Sequence, residues 1–160
     1  MNPTQHVLNP VYRDRLFNSI NAAPFIQHMG MRITDLAWGA ATFELEPATF
    51  RLQPFNVVHG GNIATLIDSA TFWACFLSLG GDDDGVTSVD LKLNYLAAAR
   101  TEPLRCVARM LKSGKTLAYA DAEVRGGDDR LIAHGSSTLM RLPGLGIKLG
   151  IPLWEGGAAR

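Results

Sequence analysis

A run of small residues that could hold a negatively charged oxygen lies close to one isolated carboxylate. His59, Gly60 and Gly61 precede a predicted helix, and Asp68 follows His59 by nine residues. The first backbone N–H groups of a helix have no internal partner, and glycine lets a ligand approach them closely. A pair of glycines alone more often marks a turn, but a carboxylate among apolar residues is costly unless it is paired, exposed or used. The combination therefore predicts an oxyanion hole together with a carboxylate that takes part in the chemistry.

These residues lie at the start and near the middle of one long predicted helix. It opens out of the loop that begins at Gln53, and the pair Gly80-Gly81 is a signal for its end. Its apolar residues recur at helical spacing, so that one stripe faces a core: Ile63, Leu66, Ile67, Ala70, Ala74 and Leu77. A helix this apolar has to be wrapped by other parts of the chain.

Strands on both sides of this helix supply the wrapping. A strand pair precedes the helix, and an antiparallel meander with turns at Gly114 and Gly126 follows it. In the first strand after the helix, Val89, Leu91, Leu93 and Tyr95 alternate onto one face. The predicted elements are helices over 11–20 and 24–28 and strands over 31–36, 40–46, 86–96, 104–111, 116–124 and 130–141. The tail from 143 to 160 is too apolar to be free, so we expect it to pack on another surface, which the sequence does not identify.

The motif resembles the signature of hotdog-fold acyl-CoA thioesterases. That family has Asn or Gln six residues before a His-Gly-Gly run and Asp or Glu nine residues after the His, which Gln53, His59 and Asp68 match. The closest branch is the phenylacetyl-CoA (PaaI-like) and 4-hydroxybenzoyl-CoA thioesterase group. The resemblance covers roughly residues 30–141 of a chain expected to form a single domain over 1–160. It implies an α+β hotdog fold, in which an antiparallel β-sheet wraps around a long central helix.

The resemblance also assigns roles to the motif residues. Asp68 would attack the thioester carbon or activate water, and sequence does not separate these two roles. The Gly60 N–H would hold the carbonyl oxygen, and Gln53 would position that oxygen or the water. His59 would order the loop or bond near the carbonyl. Ser88 would contact Asp68 or the water.

The substrate implied is an acyl-CoA, with no cofactor and no metal. Gly61 and Asn56 belong to the predicted binding loop, and Asn56 stands where the family often has Gly. Because CoA carries phosphates, basic side chains should lie at the mouth of the pocket. The candidates flank predicted strand ends: Arg100, Arg109, Lys112 and Lys115.

Helix geometry predicts that the site is shared between two chains. An α-helix rises about 1.5 Å per residue, so Gly60 and Asp68 are roughly 12 Å apart along the axis. One thioester carbonyl cannot contact both residues of the same helix. An antiparallel partner helix in a two-fold dimer would bring the two groups together, with two equivalent sites. The apolar tail suggests a further interface, and thus a dimer of dimers.

Composition excludes several other classes of protein. The formal net charge of the 160 residues is zero, which argues against a nucleic-acid partner. No apolar run reaches membrane-spanning length, and no signal pattern begins the chain. The only cysteines, Cys75 and Cys106, have apolar neighbours and are expected to be reduced in a cytoplasmic protein. The acidic turn 80–85 lacks the ligand alternation of a calcium loop, so no metal is predicted.

Other functions remain on the same fold. A non-catalytic acyl-CoA binder would keep the pocket without hydrolysis, although the carboxylate favours an enzyme. A hotdog dehydratase needs a catalytic His and acid at another spacing. A paired structural role for Asp68 is the remaining alternative, since ion pairs also hold buried acids.

Overall fold

The computed structural model describes residues 7–81 and 83–155. Helices α1 and α2 precede a strand pair, the long helix α3 follows, and four strands complete the domain. A short 3₁₀ turn, Thr49–Arg51, lies between the strand pair and α3. The elements are α1 Pro10–Ala22, α2 Pro24–Met29, β1 Met31–Ala37, β2 Ala40–Leu45, α3 Gly60–Leu79, β3 Asp84–Tyr95, β4 Leu104–Ser113, β5 Leu117–Arg125 and β6 Leu131–Pro143.

All six strands form one antiparallel sheet in the order β1-β2-β4-β5-β6-β3. Strand β3, the first after α3, therefore pairs with β6, the last strand, and occupies an edge of the sheet. The predicted α+β hotdog architecture is confirmed, because the sheet curves around α3, which contacts every strand.

The core lies between α3 and the concave face of the sheet. Every residue of the predicted apolar stripe of α3 is buried. The helix approaches β6 so closely that a Cβ at Gly135 would lie 2.9 Å from Cγ2 of Ile67. Glycine at this position thus sets the distance between helix and sheet, and the helix ends at Gly80 as predicted.

The edge strand β3 departs from its predicted regularity. A bulge between Ser88 and Asp90 takes Val89 out of the ladder, so the expected four-residue alternation is broken. Leu93 lies opposite Gly135, on the side of the sheet that faces α3. Even so, Val89 is 50% and Tyr95 54% exposed, although α3 contacts β3 at Ser88 and Tyr95. Apolar side chains of this edge strand are thus left partly uncovered by the described residues.

The described part of the tail is packed, as expected, and the surface that it packs on belongs to its own chain. Trp154 is only 9% exposed, and its ring lies 5.3 Å from that of Trp38. It also forms an isolated antiparallel bridge with Leu8. Four further apolar residues of the tail pack against the core: Ile147, Leu149, Ile151 and Leu153. The tail therefore closes the fold of one chain, and it offers no support for a second interface; residues 156–160 lie outside the described residues.

Helix α3 corrects the expectation about membrane-spanning segments. By length and mean hydropathy it is apolar enough to cross a membrane, although Asp68 interrupts its apolar residues. In the fold, 56% of that span is buried, and the wrapping sheet accounts for its composition. Both cysteines are free and buried, as predicted.

Candidate active site

The first turn of α3 keeps one backbone donor unused. Nδ1 of His59 accepts a hydrogen bond from the Gly61 N–H at 2.9 Å, so His59 caps the helix. In the neutral imidazole, acceptance at Nδ1 places the proton on Nε2. No residue within 7–81 and 83–155 accepts from the Gly60 N–H. Of the two glycines proposed for the oxyanion hole, Gly61 is thus engaged, and Gly60 supplies the free donor.

Tyr95 supports this first turn from the end of β3, and sequence reasoning missed it. Its hydroxyl donates to the Gly60 carbonyl at 3.2 Å. The ring packs so closely that a Cβ at Gly60 would lie 3.2 Å from its Cζ. The sequence signal was only that Tyr95 ends the alternating strand, which does not show where that strand meets the helix.

Asp68 lies further along α3, half-buried, and faces the edge strand. The hydroxyl of Ser88 donates to Oδ1 of Asp68 at 2.7 Å, which is one of the two contacts predicted for Ser88. No other described residue donates to the Asp68 carboxylate, so Oδ2 carries no hydrogen bond from the residues that the structure describes. The acid is therefore oriented by a neutral donor and is not neutralised by a cation.

The loop before α3 is closed by backbone hydrogen bonds. The Gln53 N–H donates to the Val57 carbonyl at 2.8 Å, and the Asn56 N–H donates to the Gln53 carbonyl at 2.9 Å. Asn56 has φ +56°, a left-handed conformation that Gly adopts freely and Asn tolerates. This conformation explains why Asn can occupy a position that often carries Gly. The predicted role of the Gln53 side chain stays a prediction, because its amide bonds to no described residue.

The predicted phosphate-binding cations fall into two groups. Arg100 lies at the loop, where its Nη1 donates to the Asn56 carbonyl at 3.4 Å. Met110, beside Arg109 in β4, instead contacts Ser78 near the other end of α3. Arg109 and Lys112 follow β4 away from Gly60, and Lys115 lies in the turn beyond. Within one chain, Arg109, Lys112 and Lys115 therefore lie away from the motif. They could contact a ligand bound at Gly60 only if they belong to a second chain.

The buried thiols do not contribute a nucleophile. Cys75 is fully buried in α3, and this burial raises its pKa to about 12. Burial also raises the pKa of Cys106 in β4. Because the thiolate is the reactive form, both residues act as apolar core residues near neutral pH. In the described residues there is no cluster of three or more metal-ligating side chains.

Comparison with known proteins identifies the class to which this fold and site belong. The model of the Thioesterase superfamily matches residues 55–133. A thioesterase family protein from Silicibacter pomeroyi is 31% identical, with a TM-score of 0.76 over 83% of this chain and 99% of that one. The chain belongs to the thioesterase superfamily. The matched region runs from the motif loop through β3 to the start of β6, and it contains Gly60, Asp68 and Ser88.

Two further comparisons show a similar fold in one protein and a similar sequence over about half of this chain in another. The PaaI protein of the Escherichia coli phenylacetic acid degradation operon has a TM-score of 0.76 over 86% of this chain and 98% of that one, at 17% identity. The match therefore shows a common hotdog fold. Acyl-coenzyme A thioesterase 13 of Mus musculus is 39% identical over 52% of this chain. The chain spans a little over half the length of the first two curated relatives it matches, 54% and 59%.

Proposed function

We propose that this protein is an acyl-CoA thioesterase, which hydrolyses an acyl- or aryl-CoA thioester to a free acid and CoA. The observation that carries the proposal is the hydrogen bond from the Ser88 hydroxyl of β3 to the Asp68 carboxylate of α3. The first turn of the same helix offers the unused Gly60 N–H. The acyl-CoA class of the substrate is supported by the name of the mouse relative.

In the proposed reaction, the Gly60 N–H binds the thioester oxygen and stabilises the charge that develops on it. Either Asp68 takes a proton from water, whose oxygen attacks the carbonyl carbon, or Asp68 attacks first and water cleaves the resulting anhydride. In both routes the carbon–sulfur bond breaks, the thiolate of CoA leaves with a proton, and water supplies the acid oxygen. Ser88 holds the carboxylate in the orientation that either route requires.

The proposed active species is a homodimer with two shared sites. Gly60 and Asp68 are separated by roughly 12 Å along the helix axis, so one carbonyl needs these groups from two chains. The exposed apolar edge strand β3, which carries Val89, Leu91 and Tyr95, supports this arrangement because an uncovered strand edge favours pairing. A dimer of dimers stays a prediction, without support from the tail.

The loop side of the site is the proposed entry for CoA. Arg100 is the best placed of the predicted cations for a phosphate, because it contacts the loop that leads to Gly60. The proposed place of action is the cytoplasm, which agrees with two free, buried thiols.

The direct test is release of CoA thiol from a panel of short-chain, long-chain and aryl acyl-CoAs. Asp68→Asn keeps the shape and the capacity to bond Ser88 but removes the base or nucleophile. We expect kcat to fall by about 10²–10⁴-fold on whichever thioester the protein prefers. Near-normal turnover by this variant would remove Asp68 from the mechanism.

The same panel separates the enzyme from a non-catalytic binder. A protein that binds a non-hydrolysable acyl-CoA analogue by calorimetry but releases no thiol from any substrate would contradict the proposed activity. Val11→Ala, which truncates an exposed side chain on α1 outside the motif loop, serves as a control for surface substitutions.

A further inference from the structure

A buried arginine stands between the N-terminal helices and the start of α3. Arg51 ends the 3₁₀ turn and is only 6% exposed. Its guanidinium donates to backbone carbonyls: Nε and Nη2 bond Met29 at 3.1 and 2.8 Å, and Nη1 bonds Glu46 at 2.6 Å. Arg51 thus joins the end of α2 to the chain after β2. Burial lowers the pKa of Arg51, and Glu46 opposes the shift, but a guanidinium remains charged.

The fold makes room for this side chain at Gly30. A Cβ at that position would lie 1.9 Å from Nη2 of Arg51. Gly30 also has φ +59°, a conformation in which a β-carbon is unfavourable. The end of α2 therefore leaves space for the guanidinium only because residue 30 is glycine, and this space fixes the position of the Arg51 side chain.

The backbone of the same residue holds the start of α3. The Arg51 carbonyl accepts from the His59 N–H at 2.8 Å and from Nδ2 of Asn62 at 3.3 Å. His59 precedes the free Gly60 donor, and Asn62 lies in the first turn. Arg51 thus contacts Met29 and Glu46 through its side chain, and it contacts the first turn of α3 through its carbonyl.

We propose that Arg51 is a positioning residue for the Gly60 donor. Its side chain fixes the 3₁₀ turn, and its carbonyl fixes the first turn of α3 relative to the sheet that carries Ser88. This inference rests on the proposed thioesterase function and adds to it the residue that sets the geometry of the oxyanion hole.

The proposal predicts a specific kinetic signature. An oxyanion donor acts on charge that develops in the transition state, so its displacement lowers kcat and kcat/KM together. A displacement near 1 Å can cost about 100-fold in rate. For Arg51→Met, which keeps an apolar stem without the donors, we expect a fall in kcat of roughly 10- to 100-fold. Arg13→Met is the matched control, because its exposed guanidinium bonds only Asp14 among the described residues.

A milder variant and a chemical rescue guard against simple misfolding. Asn62→Ala removes one donor to the Arg51 carbonyl and leaves the buried side chain in place, so kcat should fall by roughly three- to tenfold. Arg51→Ala should regain kcat when guanidinium is added at millimolar concentration. Methylammonium should not replace it, because it lacks the planar array of donors. Rescue of this kind is not expected for a protein that has merely lost its fold.

Amide hydrogen exchange supplies a readout that does not depend on turnover. In Arg51→Met, the His59 amide should exchange faster than in the wild type, while buried amides at the middle of α3 keep their protection. Wild-type protein that releases no thiol would refute the proposed function, and exchange would still report on Arg51. A folded Arg51→Met or Asn62→Ala protein with unchanged kcat, or with only a raised KM, would overturn the positioning role.

Discussion

Helix α3 begins with an uncovered backbone donor, whereas its end is covered by the chain itself. At the beginning, the Gly60 N–H has no acceptor among the described residues, although its neighbour is capped by His59. At the end, the Gly80 N–H donates to Phe76, and the Gly81 carbonyl accepts from the Ile147 N–H at 3.0 Å. Gly60 is partly exposed, and the first N–H groups of a helix have no internal partner, so this end leaves a donor free for a ligand. The enclosed end leaves none, so the proposed thioester oxygen is assigned to the open end.

Of the changes at the two ends of α3, removal of the uncovered donor at its start is expected to have the largest effect. Gly60→Pro deletes the N–H, and proline suits the first helical position, where His59 already has an extended ψ of 132°. Gly60→Ala introduces the same contact with Tyr95 but keeps the N–H. We expect Gly60→Pro to lose about 10²–10³ in kcat relative to Gly60→Ala, measured by thiol release. Equal rates for the two variants would show that this donor is not used.

Mixing two inactive variants tests whether the open end of one helix serves the carboxylate of another. Gly60→Pro and Asp68→Asn proteins are purified separately and then allowed to exchange subunits. In the heterodimer, one site collects both defects and the other has neither, so up to about half of the sites recover. Heterodimers that form but stay inactive, from folded parents, would place the whole site within one chain.

The enclosed end should respond in stability and not in turnover. Trp154→Ala removes a buried ring packed on Trp38, so the free energy of unfolding should fall by about 3 kcal/mol, with kcat unchanged below the melting transition. Leu145→Ala, in the same tail but 66% exposed, should change little. Urea unfolding at fixed protein concentration measures both variants. A kcat lowered by Trp154→Ala would show that the two ends of α3 are coupled.

The fold was predictable from the sequence where periodicity carries the information. The apolar stripe of α3 and the turns at Gly80 and Gly114 follow from local spacing, and they appear where expected. The partner of β3 was not predictable, because pairing with β6 depends on contacts between distant segments. The bulge at Val89 was also missed, because the alternation of apolar residues does not reveal where a strand contains an extra residue.

The site was predictable only where a motif marks it. Gly60 and Asp68 came from spacing and resemblance, and the contact of Ser88 with Asp68 was among the predictions. Tyr95 and Arg51 were missed because no local pattern relates a strand end or a 3₁₀ turn to the start of a helix. Their roles arise from chain segments that meet only in the folded structure. The phosphate contacts predicted for Arg109 and Lys112 stay predictions, because β4 carries both residues toward the other end of α3 in this chain and the predicted pocket is shared by two chains.

The pairing of β3 with β6 also fixes an order of events on the ribosome. While residues 131–143 have yet to be made, the strand that holds Ser88 has no neighbour on either side. Its apolar face is then open to any other nascent segment, a condition under which strands aggregate. Ser88 therefore takes its place in the sheet, opposite Leu139, only once residues 131–143 are present, and the proposed self-association through this edge would follow that pairing.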